Sequence, residues 1–208
     1  KLAKAARLLY ECSDELKDVE SYQFDMVNVY RELLHSLTHQ VIDNLSNAFL
    51  DKDKDAFELA SKDMLKLFDD WDEITGANEN FLLGQWLKDA KSWGYTPEEK
   101  EFYNWNARTI ITIWQPWVMG GLRDYASKQW NGLIKDYYKP RWALFINELQ
   151  ASIDNPKSYQ QSDFELKLRQ MDFDWTHMNN EYSPTASGDI VKIAERIMKD
   201  YGDRFDFN

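Results

Sequence analysis

The chain has 208 residues, of which 43% are hydrophobic and 29% charged, a balance that fits one globular domain with a sizeable core and excludes a disordered chain. Its net charge is −11 and no Lys/Arg cluster falls on a helix face, which excludes a nucleic-acid footprint and attraction to an anionic membrane surface. The single cysteine, Cys12, rules out an internal disulfide and a multi-thiolate zinc site, and no window is apolar enough to span a membrane.

From Lys1 to about Lys17, Leu2, Ala5, Leu8, Leu9, Cys12 and Leu16 recur at helical spacing. The first residues carry no signal-peptide pattern. The chain starts at Lys1 without Met, already inside this pattern, and so reads as a fragment of something longer. A short break is expected over Ser21–Phe24. A long helix then runs from about Phe24 to Phe49, with Phe24, Val27, Leu34, Val41, Leu45 and Ala48 as its stripe. Arg31, His35 and Thr38 interrupt that stripe, and a buried guanidinium needs a partner. The candidates are Asp25 or a carboxylate from another helix.

Asp53 or Asp55 caps a third helix, about Ala56 to Glu73, which Gly76 ends. A fourth covers about Glu79 to Trp93. Thr96-Pro97-Glu98-Glu99 is the clearest start signal: a capping threonine, proline at the first helical position and a reciprocal glutamate. The fifth helix runs to about Trp114, with Phe102, Trp105, Thr109, Ile110 and Ile113 on its apolar face. Pro116 stops it, and a sixth is expected from about Leu122 to Tyr138. Pro140 opens a seventh with Trp142, Phe145, Ile146 and Leu149 inward. An eighth spans about Asp163 to Met178 and a ninth about Asp189 to Tyr201, separated by the polar loop Asn179–Gly188. No run of strands or fixed repeat intervenes. The fold class is all-α, an irregular bundle of about nine helices in a single domain covering residues 1–208.

Chemistry is sparse. His35 and His39 stand four apart on one helix, but Ser36 occupies the place where a metalloprotease pattern needs glutamate. They read as polar residues flanking a stripe. Asp69, Asp70, Asp72 and Glu73 diverge around a helix end and read as a solvated acidic face. Gly120-Gly121 lacks the lysine of a phosphate loop, no serine sits in a nucleophile elbow, and the Asn44-Leu45-Ser46 sequon falls inside a helix pattern. No metal or cofactor is expected.

An aromatic band remains between Trp114 and Trp142. Trp105, Trp130 and Trp142 suit a core. Trp114, Trp117 and Tyr125 flank the Gly-Gly turn, where a ring serves either as core or as a wall that stacks on a sugar.

Several stretches resemble one family when taken in order. They are YQFDMVNVYR (22–31), NENFLLGQWLKDAK (78–91) continuing into Trp93-Gly94, YNWNAR (103–108), ITIW (111–114), DYA (124–126), WNGL (130–133) and DYYKPRW (136–142). Together they look like the C-terminal all-helical domain of the α-N-acetylglucosaminidases, glycoside hydrolase family eighty-nine. The resemblance is dense from Ser21 to Leu149. It implies an upstream (β/α)8-type barrel that bears two catalytic glutamates, and retaining hydrolysis of terminal α-linked N-acetylglucosamine. It implies that this domain packs on the barrel and closes one side of the pocket. By motif match, Trp114 and Tyr125 would wall the sugar with Leu122 beside them, and Arg141 would anchor helices or the inter-domain seam. The sequence departs from the family's usual Trp-Gly-Pro at Trp114-Gln115-Pro116, and the segment that follows, up to Asp124-Tyr125, is longer. The implied partners are the barrel and an N-acetylglucosamine-terminated glycan, in a secreted, periplasmic or lysosomal setting. The alternative is a stand-alone helical carbohydrate-binding or interaction module without catalysis.

Overall fold

The computed structural model describes residues 1–114 and 123–205. Within them the chain forms nine α-helices: α1 (Leu2–Glu11), α2 (Ser13–Leu16), α3 (Glu20–Leu50), α4 (Lys54–Gly76), α5 (Leu83–Ser92), α6 (Pro97–Ile111), α7 (Lys139–Ser152), α8 (Gln161–Thr176) and α9 (Ile190–Tyr201). Among the described residues the sole β feature is an isolated bridge between Leu82 and Asn131, so the all-α class holds. No helix among them is long and apolar enough to cross a membrane.

The spine is the hairpin of α3 and α4. A three-residue turn forces the two helices to run antiparallel side by side. Asp53 caps α4 by accepting from the Ala56 N–H at 2.9 Å, which settles the choice between Asp53 and Asp55. Met26, Tyr30, Leu34, Leu37 and Val41 of α3 pack against Phe57, Met64, Leu67 and Ile74 of α4. Ala6 of α1 and Ile193, Ala194 and Ile197 of α9 close the same core. A second, smaller core gathers Leu83 and Leu87, Ala107 and Ile111, Leu133, Tyr137 and Trp175.

Four expectations need correction. The break over Ser21–Phe24 is helical. Tyr22 is buried and its hydroxyl donates to the Leu9 carbonyl at 2.6 Å, tying α3 to α1, so the break moves back to Lys17–Val19. The fourth helix opens as one 3-10 turn, Glu79–Phe81. The backbone extends at Leu82, where Leu83 N–H donates to Asn131 at 3.1 Å and Asn131 N–H to Phe81 at 2.8 Å. The buried residues of α6 are Asn104, Ala107, Arg108, Thr109 and Ile111. Of the expected apolar face, Thr109 is buried and Ile110 packs on the second core, but Phe102 is exposed, because the buried side is set largely by the polar Asn104 and Arg108.

The sixth expected helix is largely absent. Residues 123–126 turn, 127–130 are irregular, and helical geometry begins only at Leu133. A π-helical turn, Ile134–Tyr138, then leads directly into α7. Pro140 accounts for it: the ring offers no N–H and clashes with the carbonyl four residues back, which a wider turn relieves.

Candidate functional site

The Thr96–Pro97–Glu99 capping box starts α6 as expected, and the aromatic site lies where α6 ends. Trp114 adopts φ 62°, and its N–H turns back to the Thr109 carbonyl at 2.7 Å. The returning limb is pinned beside it by the Asp124 N–H, which donates to Thr112 at 2.7 Å. Asp124 and Ser127 also take positive φ, 57° and 46°. Three non-glycine residues in the left-handed region within one short stretch mark a backbone held in place by its surroundings, as functional sites commonly are.

The result brings Trp114 and Tyr125 together edge-to-face, with ring centroids 5.6 Å apart. Trp114 is 45% exposed and Tyr125 69%. Neither is core. Leu122 and Trp117 lie outside the described residues. Trp130 and Trp142 are partly buried against the main core, as their helical spacing suggests.

Arg141 holds the limb that carries Tyr125. Its Nη1 donates to Asp124 Oδ2 at 2.7 Å, its Nε lies 3.1 Å from Asp172 Oδ1 of α8, and its guanidinium sits 4.7 Å over the Tyr137 ring. Arg123 approaches the same Asp172 at 3.8 Å. Burial pushes Asp172 up to about 6, with Arg141 and Arg123 pulling the other way. One buried cation therefore links α7, α8 and the turn after residue 122, in agreement with the anchoring role expected of Arg141.

Asp124 and Tyr138 also separate two clefts. One, of about 350 Å³, is lined by His35, His39, Trp71, Gln129 and Trp142 among others. The second, of about 360 Å³, lies against Arg141, Phe145 and Phe164. His35 stacks on Trp71 at 5.4 Å and lies 6.2 Å from His39. His177 is remote from both and packs on Phe173 at 4.2 Å. The histidines thus act as aromatic packing partners. Arg31 finds its carboxylate in Glu32 at 2.9 Å, the next residue, and not in Asp25. It also donates to Asn28 at 2.7 Å and to Gln129.

The acidic cluster on α4 is not a solvated face. Asp69 and Glu73 are exposed, but Asp70 and Asp72 are buried. Asp70 receives Lys66 at 2.6 Å, Arg196 at 2.7 Å and the Tyr201 hydroxyl. Asp72 accepts the Gly132 N–H at 2.7 Å, the Lys135 N–H at 3.1 Å and the Asn131 amide at 2.8 Å. Burial pushes Asp72 up to about 6, and the Gly132 and Lys135 N–H groups hold it down only in part. Asp72 thereby fixes the chain leaving the site at Asn131-Gly132. Sequence reasoning missed it because its partners lie about sixty residues away. Arg108 was missed in the same way: fully buried, it donates to Asn180 at 2.9 Å and to Trp175 at 3.3 Å, strapping the 179–188 loop onto α6.

Residues 1–200 match the family model described as the alpha-N-acetylglucosaminidase C-terminal domain. Over 203 residues the chain is 29% identical to the alpha-N-acetylglucosaminidase of Homo sapiens, covering 97% of this chain and 27% of that protein. Among solved structures it is similar to a family 89 glycoside hydrolase from Clostridium perfringens in complex with PUGNAc, at 28% identity and a TM-score of 0.86, covering 96% of this chain and 23% of that one. A structure of the Clostridium perfringens protein in complex with its substrate GlcNAc-alpha-1,4-galactose gives 26% identity and a TM-score of 0.86, covering 97% and 24%. The chain thus spans about a quarter of the length of these relatives.

Proposed function

Since the chain belongs to the family of α-N-acetylglucosaminidase C-terminal domains, we propose that it is the helical part of an exo-acting retaining enzyme that removes terminal α-linked N-acetylglucosamine from glycans. The observation that carries the reading is the exposed Trp114–Tyr125 pair on a backbone held in left-handed geometry. An aromatic face covers the apolar side of a pyranose while leaving its hydroxyls to polar partners. Retention needs two carboxyl groups about 5–5.5 Å apart, one as nucleophile and one as acid and then base. In this reading those carboxyls lie on the remainder of the polypeptide, and the present chain binds, orients and shields the sugar. A wall that excludes water strengthens the electrostatic interactions of the carboxyls with the developing oxocarbenium ion.

The test compares the whole protein with this chain alone on an aryl α-N-acetylglucosaminide. Turnover by the whole protein with the α-anomer released first, and none by the isolated chain, is the expected result. Turnover by the isolated chain, or none by the whole protein on any α-linked N-acetylglucosaminide, refutes the reading.

A further inference from the structure

Helix α6 buries one side and leaves aromatic rings on the other. Its inner side, Asn104, Ala107, Arg108 and Ile111, packs on α5 and α8. Its outer side carries Phe102 and Trp105, whose rings touch at 5.7 Å, with Tyr103 5.8 Å from Phe102 and His177 6.1 Å from Trp105. Beyond the N-terminal end of α6 stand Trp93, 75% exposed, and Tyr95, 94% exposed; Phe102 itself is 57% exposed. Beyond the other end lie Trp114 and Tyr125. Among the described residues every exposed Phe, Tyr or Trp except Phe24 lies between Trp93 and Tyr125. Apolar residues scattered singly over a surface need no explanation, but a run of aromatics along one helix marks a contact surface.

We propose that the outer side of α6, from Trp93 and Tyr95 through Phe102, Tyr103 and Trp105, is the surface on which the remainder of the polypeptide docks. This rests on the reading of the chain as one part of a larger enzyme. Two observations favour that occupant. The chain is about a quarter of the length of its relatives, so a partner several times larger is covalently at hand. Trp114 also follows the C-terminal end of α6 at Ile111 by three residues, and any catalytic part that meets a sugar on the Trp114–Tyr125 pair must come alongside that end of α6. The fitting counter-surface is apolar at its centre, with acceptors for the indole N–H and phenol O–H groups at its rim.

The experiment is hydroxyl-radical footprinting of the whole folded protein, read by mass spectrometry and normalised to the same protein unfolded in urea. Leu50 and Leu59, exposed on other helices, serve as internal standards. Tyr95 and Phe102 are expected to be protected severalfold while the two leucines are not. If Tyr95 and Phe102 react as freely as the leucines, the proposal is wrong. Protection that disappears on dilution, in step with a fall in mass to a monomer, assigns the surface to a second copy and also overturns it. As a second variant, Phe102→Glu in the whole protein should split one thermal transition into two, because it loads a docking surface and not the core of this chain. A single unchanged transition contradicts the proposal. Neither readout depends on turnover, so an inactive protein would refute the enzymatic reading and leave the docking surface standing.

Discussion

Arg141 is the residue on which most of the site depends, because one guanidinium pairs with both Asp124 and Asp172 and covers Tyr137. Arg141→Ala leaves a buried carboxylate without its partner, and breaking such a pair costs about 3–5 kcal/mol. A urea titration should show that loss. An effect within experimental scatter would mean that Asp172 is satisfied without Arg141. The two raised carboxyls give a pH signature. Each is pushed from 3.8 to about 6 by burial, so the folded chain binds protons that the unfolded chain has already released. Their stabilising contribution is complete below the unfolded value and is lost as pH rises through about 6. The exposed acids Asp189 and Asp200 are shifted down and act in the opposite sense, below 3.8. Two arginines contest the shift at Asp172, so Asp72 gives the cleaner reading. Its displacement is worth on the order of 3 kcal/mol. Stability measured by urea unfolding should therefore fall from pH 4 to pH 6.5, and Asp72→Asn should flatten that slope. A slope of the same size in the variant would assign it elsewhere.

Among the elements, those legible from the sequence carry their signals locally. Thr96, Pro97 and Glu99 specify the start of α6 within four residues, and the box is present in full. Thr96→Ala should cost about 1 kcal/mol, read as a lowered denaturation midpoint. What was illegible depends on distant partners. The 123–133 segment has helical periodicity, yet Asp124 and Ser127 leave the helical region because Arg141 and Thr112 hold the turn. The face of α6 was misjudged because Asn104 and Arg108 are buried to bind the loop after α8. That loop is itself an element of the fold, since it presses its backbone onto α5. A Cβ at Gly84 would lie 2.1 Å from the Ser183 carbonyl oxygen. Gly84→Ala should therefore lift the strap. Faster hydrogen exchange and proteolysis over residues 179–188, with α3 and α4 still protected, is the expected pattern. Unchanged exchange there would mean that α5 shifts instead.

At the scale of the molecule, composition and periodicity gave the all-α class and most helices, while the functional site was only half legible. Periodicity set Trp114 and Tyr125 apart from Trp130 and Trp142, but nothing in their spacing shows that the two rings meet. Their proximity comes from the Asp124–Thr112 hydrogen bond and from Arg141, both tertiary. The resemblance supplied the proposal, which geometry within this chain does not contain, that the reacting carboxyls lie on the remainder of the polypeptide. The central claim is that this part walls the sugar. Its most direct test is the kinetics of the whole protein carrying Trp114→Ala or Tyr125→Ala on an aryl α-N-acetylglucosaminide. Loss of a stacking face should lower kcat/KM by roughly tenfold or more, about 1.4 kcal/mol of binding, with the melting temperature unchanged because both rings are exposed. Unaltered kinetic constants, or a lowered melting temperature with no kinetic effect, would contradict the account.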